Sequence, residues 1–265
     1  MRNLERIGLG LIATFVGAYL VYVLAVVAIN VMSDPHYVAY TTSSVVVQAD
    51  IKPSYDYLKS VTVVIYGRGT ETIASREEKF QQEKDEADAG HVKWMGTGVV
   101  IKVTSKYTYI LTNAHVTGNK MADVTLYVKD EIFKEEAQII KVHKNVDIAV
   151  IRVGGHLIGK RAIKGITRGR PQDKVYLVGN YLAHIYTYGE GVFAGYNDDM
   201  DIIQLPCLFG DSGSGVFNQD GKMVALIEGV EGQIIGGIFP LIDIAHALAV
   251  DSASIELFLD TIHYK

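Results

Sequence analysis

Apolar positions along the chain fall into three patterns. Residues 7–33 hold 27 consecutive positions without a charge, and no polar face interrupts them, which is unlike a helix lying on a soluble core. About 20 apolar residues cross a bilayer, whereas the apolar stretch of a cleaved leader runs to roughly 7–15. Length therefore favours a transmembrane anchor, although Val26-Val27-Ala28 has the character of a weak leader cleavage site. Arg2 and Arg6 precede the run and the next basic residue is Lys52. That asymmetry is expected to hold the N-terminus in the cytoplasm and the body of the chain outside it.

The second pattern is short. Residues 34–59 carry Pro35 and Pro53, two of the five prolines, and read as a juxtamembrane linker ending in a short helix or turn. The third fills the rest of the chain. Runs of strand length rich in Val, Ile, Tyr and Phe occur at 60–66, 99–103, 107–111, 124–128, 137–142 and 148–153. A basic, Pro-containing turn near 168–171 follows, then further runs at 174–178, 191–194, 202–205, 215–217, 223–227 and 234–239. Gly, Asn and Asp turns separate them and no helical periodicity alternates with them, so they predict sheets closed into barrels or sandwiches. Residues 242–259 read as a C-terminal helical tail. Residues 70–90 are too charged for a core strand and read as a solvated insertion.

Composition narrows the function. A chain of 265 residues holds one large all-β domain or two small ones. Its 25 basic and 30 acidic residues give a net charge of −5, so no basic stripe argues for nucleic acid. Cys207 is the single cysteine, which excludes an intrachain disulfide and argues against a disulfide-stapled secreted enzyme. The histidines and the cysteine lack zinc-site spacing, so no metal or cofactor is expected.

Three short motifs carry chemistry. His115 follows Tyr109-Ile110-Leu111-Thr112-Asn113-Ala114, where an apolar strand emerges into a loop. Asp147 stands immediately before Ile148-Ala149-Val150-Ile151, at the mouth of a buried strand, where it can be desolvated and still reach an imidazole. Ser212 lies in Gly210-Asp211-Ser212-Gly213-Ser214-Gly215. A serine hydroxyl is a weak nucleophile until a base takes its proton and a third group fixes the tautomer of that base. The order His, Asp, Ser belongs to one of the three common convergent triads. Glycine at 210 and 213 permits the sharp backbone that aims the N–H groups of Gly210 and Ser212 at one point, the arrangement of an oxyanion hole. These motifs predict a serine endopeptidase acting through an acyl-enzyme.

The chain resembles the trypsin-like serine proteases, most of all the bacterial HtrA/Deg branch. Gly96-Thr97-Gly98-Val99-Val100-Ile101, Leu111-Thr112-Asn113-Ala114-His115-Val116, Asp147-Ile148-Ala149-Val150-Ile151, the serine motif continuing to Asn218-Gln219-Asp220-Gly221, and Ile235-Gly236-Gly237-Ile238-Phe239-Pro240 carry the likeness. It implies an all-β, chymotrypsin-like pair of antiparallel six-stranded β-barrels with the active site between them. With the anchor and a short C-terminal helix, the expected layout is a cytoplasmic tail (1–6), a transmembrane anchor (7–33), a linker (34–59) and a protease domain (60–265). The first barrel is expected over about 60–165, the second over about 166–245 and the helix over 246–265. His115 and Asp147 would come from the first barrel and Ser212 from the second.

The branch commonly carries Asn before the nucleophile, where this chain has Asp211, and a second Gly and then Pro after it, where this chain has Ser214 and Gly215. In digestive members an Asp at that place pairs with a newly cut N-terminus, so Asp211 needs another partner or a processed end. Only 25 residues follow Pro240, too few for the C-terminal PDZ domains common in the branch. Pro206 stands where members that prefer basic residues place an acid, so Pro206 and Cys207 predict a pocket for a small or apolar residue before the cut. Glu228 and Gly229 are placed by the likeness to hold substrate as an added strand. Asp198, Asp199 and Asp201 read as an exposed turn. Partners are therefore a peptide or protein substrate and the membrane, with a homo-oligomer left open because the branch often forms trimers. The rival reading is a latent enzyme or a non-catalytic peptide-binding module on the same fold.

Overall fold

The structure is a computed structural model and describes residues 52–71, 91–118, 121–129, 132–197, 200–235 and 239–264. The apolar run 7–33, most of the linker, the core of the charged insertion, Asp198 and Asp199 lie outside the described residues. Among the described residues no helix is long and apolar enough to cross a membrane.

Strands β1 (Thr62–Glu71), β2 (His91–Val103), β3 (Tyr107–Thr112), β4 (Met121–Lys129), β5 (Lys134–Val142) and β6 (Ala149–Gly154) close into one barrel in the order β1-β2-β3-β6-β5-β4. Strands β7 (Lys174–Gly179), β8 (Thr187–Asn197), β9 (Met200–Gln204), β10 (Gly215–Phe217), β11 (Met223–Ile235) and β12 (Phe239–Asp251) close into a second in the order β10-β11-β12-β9-β8-β7. Closure removes the open edges that a sheet of this length would otherwise present to other chains.

Several strands are apolar on both faces, and the two-residue period of a strand explains where each face goes. Val63 and Ile65 point into the first barrel with Ile110, Ile151 and Val153. Their alternates Val64, Tyr109, Leu111, Ile148 and Val150 pack instead with Tyr176, Val178, Phe217 and Leu226 of the second barrel. The second barrel has its own interior of Val175, Leu177, Phe193, Ile203, Val216 and Ile227. The cleft between barrels is thus floored by a third core, and each fully buried aliphatic there contributes about 1.5–3 kcal/mol.

Helices appear only at the margins of the barrels. Helix α1 (Tyr55–Val61) lies within the segment expected to be linker; Ser54 caps it by accepting from the Tyr57 N–H at 3.1 Å. Tyr57, Leu58 and Val61 enter the inter-barrel core, and the Tyr57 hydroxyl donates to the Gly221 carbonyl at 2.7 Å. The folded domain therefore begins near residue 54 rather than 60. Helix α2 (Ser252–Leu259) is shorter than the tail predicted from sequence, because residues 239–251 form β12 and complete the second barrel. Propensity is weak against pairing on both sides: β12 is hydrogen-bonded to β9 and to β11.

Candidate active site

His115 opens a single 3-10 turn that follows β3, so its ring leaves the end of a buried strand and is half exposed. Asp147 lies just before β6, the strand paired with β3. Its carboxylate meets His115 twice: Oδ1 accepts the His115 backbone N–H at 2.9 Å, and Oδ2 is hydrogen-bonded to Nδ1. Asn113, fully buried, donates to the Asp147 carbonyl at 2.8 Å and holds the two loops in register. With Nδ1 committed to the carboxylate, the neutral imidazole carries its proton there and leaves Nε2 as the acceptor.

Ser212 sits in the loop between β9 and β10. Its hydroxyl donates to the Glu228 carbonyl at 3.1 Å, and His115 Nε2 has no partner among the described residues. Bonds of this kind are often loose before substrate arrives. Thr97 of β2 ties the two sides together. Its N–H donates to the Ser212 carbonyl at 2.8 Å and its hydroxyl to the Gly210 carbonyl at 2.7 Å, while Asn180 donates to that hydroxyl at 2.8 Å. Thr112, three residues before His115, donates to the Thr97 carbonyl at 2.7 Å. One residue of the first barrel therefore sets the serine loop against the strand that delivers His115.

The loop geometry requires its glycines. Gly210 has φ +101° and Gly213 φ +86°, and a Cβ would lie 2.2 Å from the Asn180 carbonyl oxygen at the first and 2.0 Å from that of Thr97 at the second. The Phe209 carbonyl accepts from Leu182 N at 2.8 Å. Across the same trans peptide the Gly210 N–H is directed away from that neighbour. Neither the Gly210 nor the Ser212 N–H has a partner among the described residues, so two donors flank the serine unoccupied.

Asp211 is 1% exposed. Burial pushes its carboxyl up to about 6, against hydrogen bonds from Leu208 N at 3.2 Å and from the Cys207 thiol. No cation faces it among the described residues, so backbone and thiol take the place of a processed N-terminus. Cys207, for which the sequence allows either a pocket wall or a packing position, is buried in the interior of the second barrel and hydrogen-bonded to Asp211. Burial, then the Asp211 charge, pushes its thiol far up, so it is inert. Pro206 is exposed beside it. Asp201 is a correction to the sequence reading. The expected exposed turn is 3% exposed at this position.

Glu228 is the residue at which the pairing of β11 with β12 slips, between Ile227 and Gly229. Such a bulge re-aims the backbone, and here the freed carbonyl faces Ser212. The Glu228 side chain is half-buried; burial raises its pKa, the Asp147 charge raises it further, and His115 lowers it. That electrostatic link to the His115–Asp147 pair was not legible in the sequence, because only the fold brings residue 228 beside residues 115 and 147.

Residues 96–226, which run through both barrels, match the trypsin-like peptidase domain. Its relatives are HtrA-type proteins. The chain is 29% identical to the serine protease Do-like HtrB of Bacillus subtilis over 150 residues, covering 53% of this chain and 31% of that protein. It is 25% identical over 200 residues to an HtrA-like serine protease of Staphylococcus epidermidis, covering 67% of this chain and 32% of the relative. The chain thus spans about a third of the length of these curated relatives. Among solved structures, the HtrA-type protease AlgW with decapeptide shares the fold at TM-score 0.55 and 18% identity, over 79% of this chain and 67% of that one.

Proposed function

We propose that the chain is a membrane-anchored serine endopeptidase. The observation that carries the reading is the two-point hold of Asp147 on His115 together with two unoccupied N–H donors beside Ser212. In the proposed cycle the Ser212 hydroxyl turns from the Glu228 carbonyl to His115 Nε2, which takes its proton as Oγ attacks the scissile carbonyl. The Gly210 and Ser212 N–H groups stabilise the oxyanion, each worth about 3–4 kcal/mol in comparable sites. Asp147 stays ionised and stabilises the imidazolium, which then protonates the leaving amine. Water releases the acyl group by the same relay in reverse. Substrate lies as an added strand along Glu228 and Gly229, with a small or apolar residue before the cut. Residues 7–33 anchor the domain on the extracytoplasmic face of the membrane, with the N-terminus inside. The AlgW structure is of that protease with a decapeptide, which supports a peptide substrate for a domain of this fold.

The reading is tested by labelling the full-length chain in detergent with a fluorophosphonate, with Ser212→Ala as control. Covalent labelling that the control abolishes is the expected result. A folded chain that never labels overturns the reading and leaves a peptide-binding module.

A further inference from the structure

A cleft of about 830 Å³ shares Asp147 and Glu228 with the candidate active site and continues to Asp201 and Asp251. Four segments bring these carboxyl groups to one space: the loop before β6, β9, β11 and the residue that caps α2. Arg168 is the sole basic residue among the described lining, and its guanidinium lies 5.2 Å from the centre of the Tyr196 ring.

Three of the four acids are accounted for. Asp147 holds His115, and Asp251 accepts from Ala253 N, Ser254 N and the Ser254 hydroxyl. Glu228 is only half-buried and keeps contact with water. Asp201 is different. It is 97% buried, yet no hydrogen-bond donor reaches its carboxylate among the described residues, and the charges that act on it, Asp251 and Arg168, both line the cleft. Burial and the Asp251 charge push its carboxyl up to about 7. Its oxygens are not among the fully enclosed unpartnered atoms of the described residues, so what they meet is the open cleft. A carboxylate partly desolvated in this way gains from a donor and a positive charge, which a cationic ligand in the cleft would bring. No three of the described His, Cys, Asp and Glu residues are placed to hold a metal ion, which favours an organic cation.

We propose that this cleft is a subsite that accepts a lysine or arginine side chain of the peptide substrate. The charged head meets Asp201 and the aliphatic stem lies along Tyr196 and Val250, in the manner of long basic side chains elsewhere. The proposal deepens the endopeptidase reading and rests on it. Because the cleft borders Asp147 and Glu228, the basic residue falls near the cut.

The test uses the full-length chain and peptides carrying lysine, or acetyl-lysine of nearly the same shape, at each position around the cut. The expected result is a kcat/KM ratio of lysine to acetyl-lysine of about tenfold or more at one position, the usual worth of a hydrogen bond to a charged group. That ratio falls to near one in Asp201→Asn, and also in Met200→Lys, which delivers a competing cation from the cleft wall. A ratio near one at every position in the unaltered chain overturns the proposal, as does a preference that both variants retain. If no peptide is cut and the probe does not label, the endopeptidase reading has failed on its own. Binding of the same peptide pair, read by fluorescence anisotropy, then decides the subsite: tighter binding of the lysine form that Asp201→Asn abolishes supports it, and equal binding overturns it.

Discussion

At the scale of single residues, the serine loop depends on a few side chains outside the three that carry the proposed chemistry. Thr97 is fully buried and bonds through its hydroxyl to Gly210 and Asn180. Thr97→Val keeps the shape and removes both bonds, so it costs about 1–3 kcal/mol in the loop. Its expected signature is a drop in kcat with KM little changed, because the N–H donors move while the substrate strand does not, and Thr97→Ser restores the rate. An equal loss in both variants sinks the hydroxyl argument. Asp211 gives a sign that can be checked. Its ordinary pKa is about 4 and burial raises the folded value to about 6. The folded state therefore binds the proton more tightly than the unfolded one. The associated stability is complete below about pH 4 and is lost as pH rises through about 6. Asp211→Asn removes that loss. Melting curves are expected to show the variant gaining on the parent chain between about pH 4 and pH 6, the window of the shift, and keeping a constant lead above it. A constant difference from about pH 4 to pH 6 contradicts the assignment.

At the scale of elements, legibility in the sequence followed how local each signal was. Strands with β-branched runs and turn residues at both ends, such as β3 and β6, lie within a residue or so of their predicted places. The runs at 223–227 and 234–239 were misjudged, since β11 continues through 235 and β12 starts at 239. The alanines at 245, 247 and 249 raise helix propensity, but Ala247 and Ala249 are small because they line the interior of a closed barrel. The His115 and Asp147 motifs were readable because each stands at a strand end. Asp201 and the Glu228 side chain were not, because burial and mutual distance are properties of the closed barrel. Helix α1 shows the same dependence on distant partners. The Tyr57 hydroxyl donates to the Gly221 carbonyl and accepts from Lys164 N at 3.2 Å. Tyr57→Phe leaves the buried Gly221 carbonyl and the Lys164 N–H without that partner and is expected to cost about 1–3 kcal/mol, read as a lower midpoint in denaturant at an unchanged slope. An unaltered midpoint would mean that α1 is an appendage and not part of the folding unit.

At the scale of the whole molecule, the barrels and the apolar N-terminal run make separable demands on the solvent. Residues 50–265 form one compact unit, whose three cores already bury the apolar faces of α1 and α2. The run 7–33 has the composition of a bilayer-spanning segment and none of the alternation that would suit it to a barrel. A chain starting at Asp50 is therefore expected to remain in the aqueous fraction and to melt within a few degrees of the full chain. The full chain should sediment with membranes and resist extraction by carbonate. Starting instead at Thr62 removes Tyr57, Leu58 and Val61, all at 5% exposure or less. Loss of three large apolar side chains from a core costs about 2–5 kcal/mol each, comparable in sum to the whole stability of an ordinary domain, so that fragment should not fold. Carbonate extraction of the full chain would refute the anchor, while stable folding from Thr62 would refute the placement of α1 in the inter-barrel core. The two outcomes are independent, so the test of the proposed anchor is separate from the test of how the domain is held together.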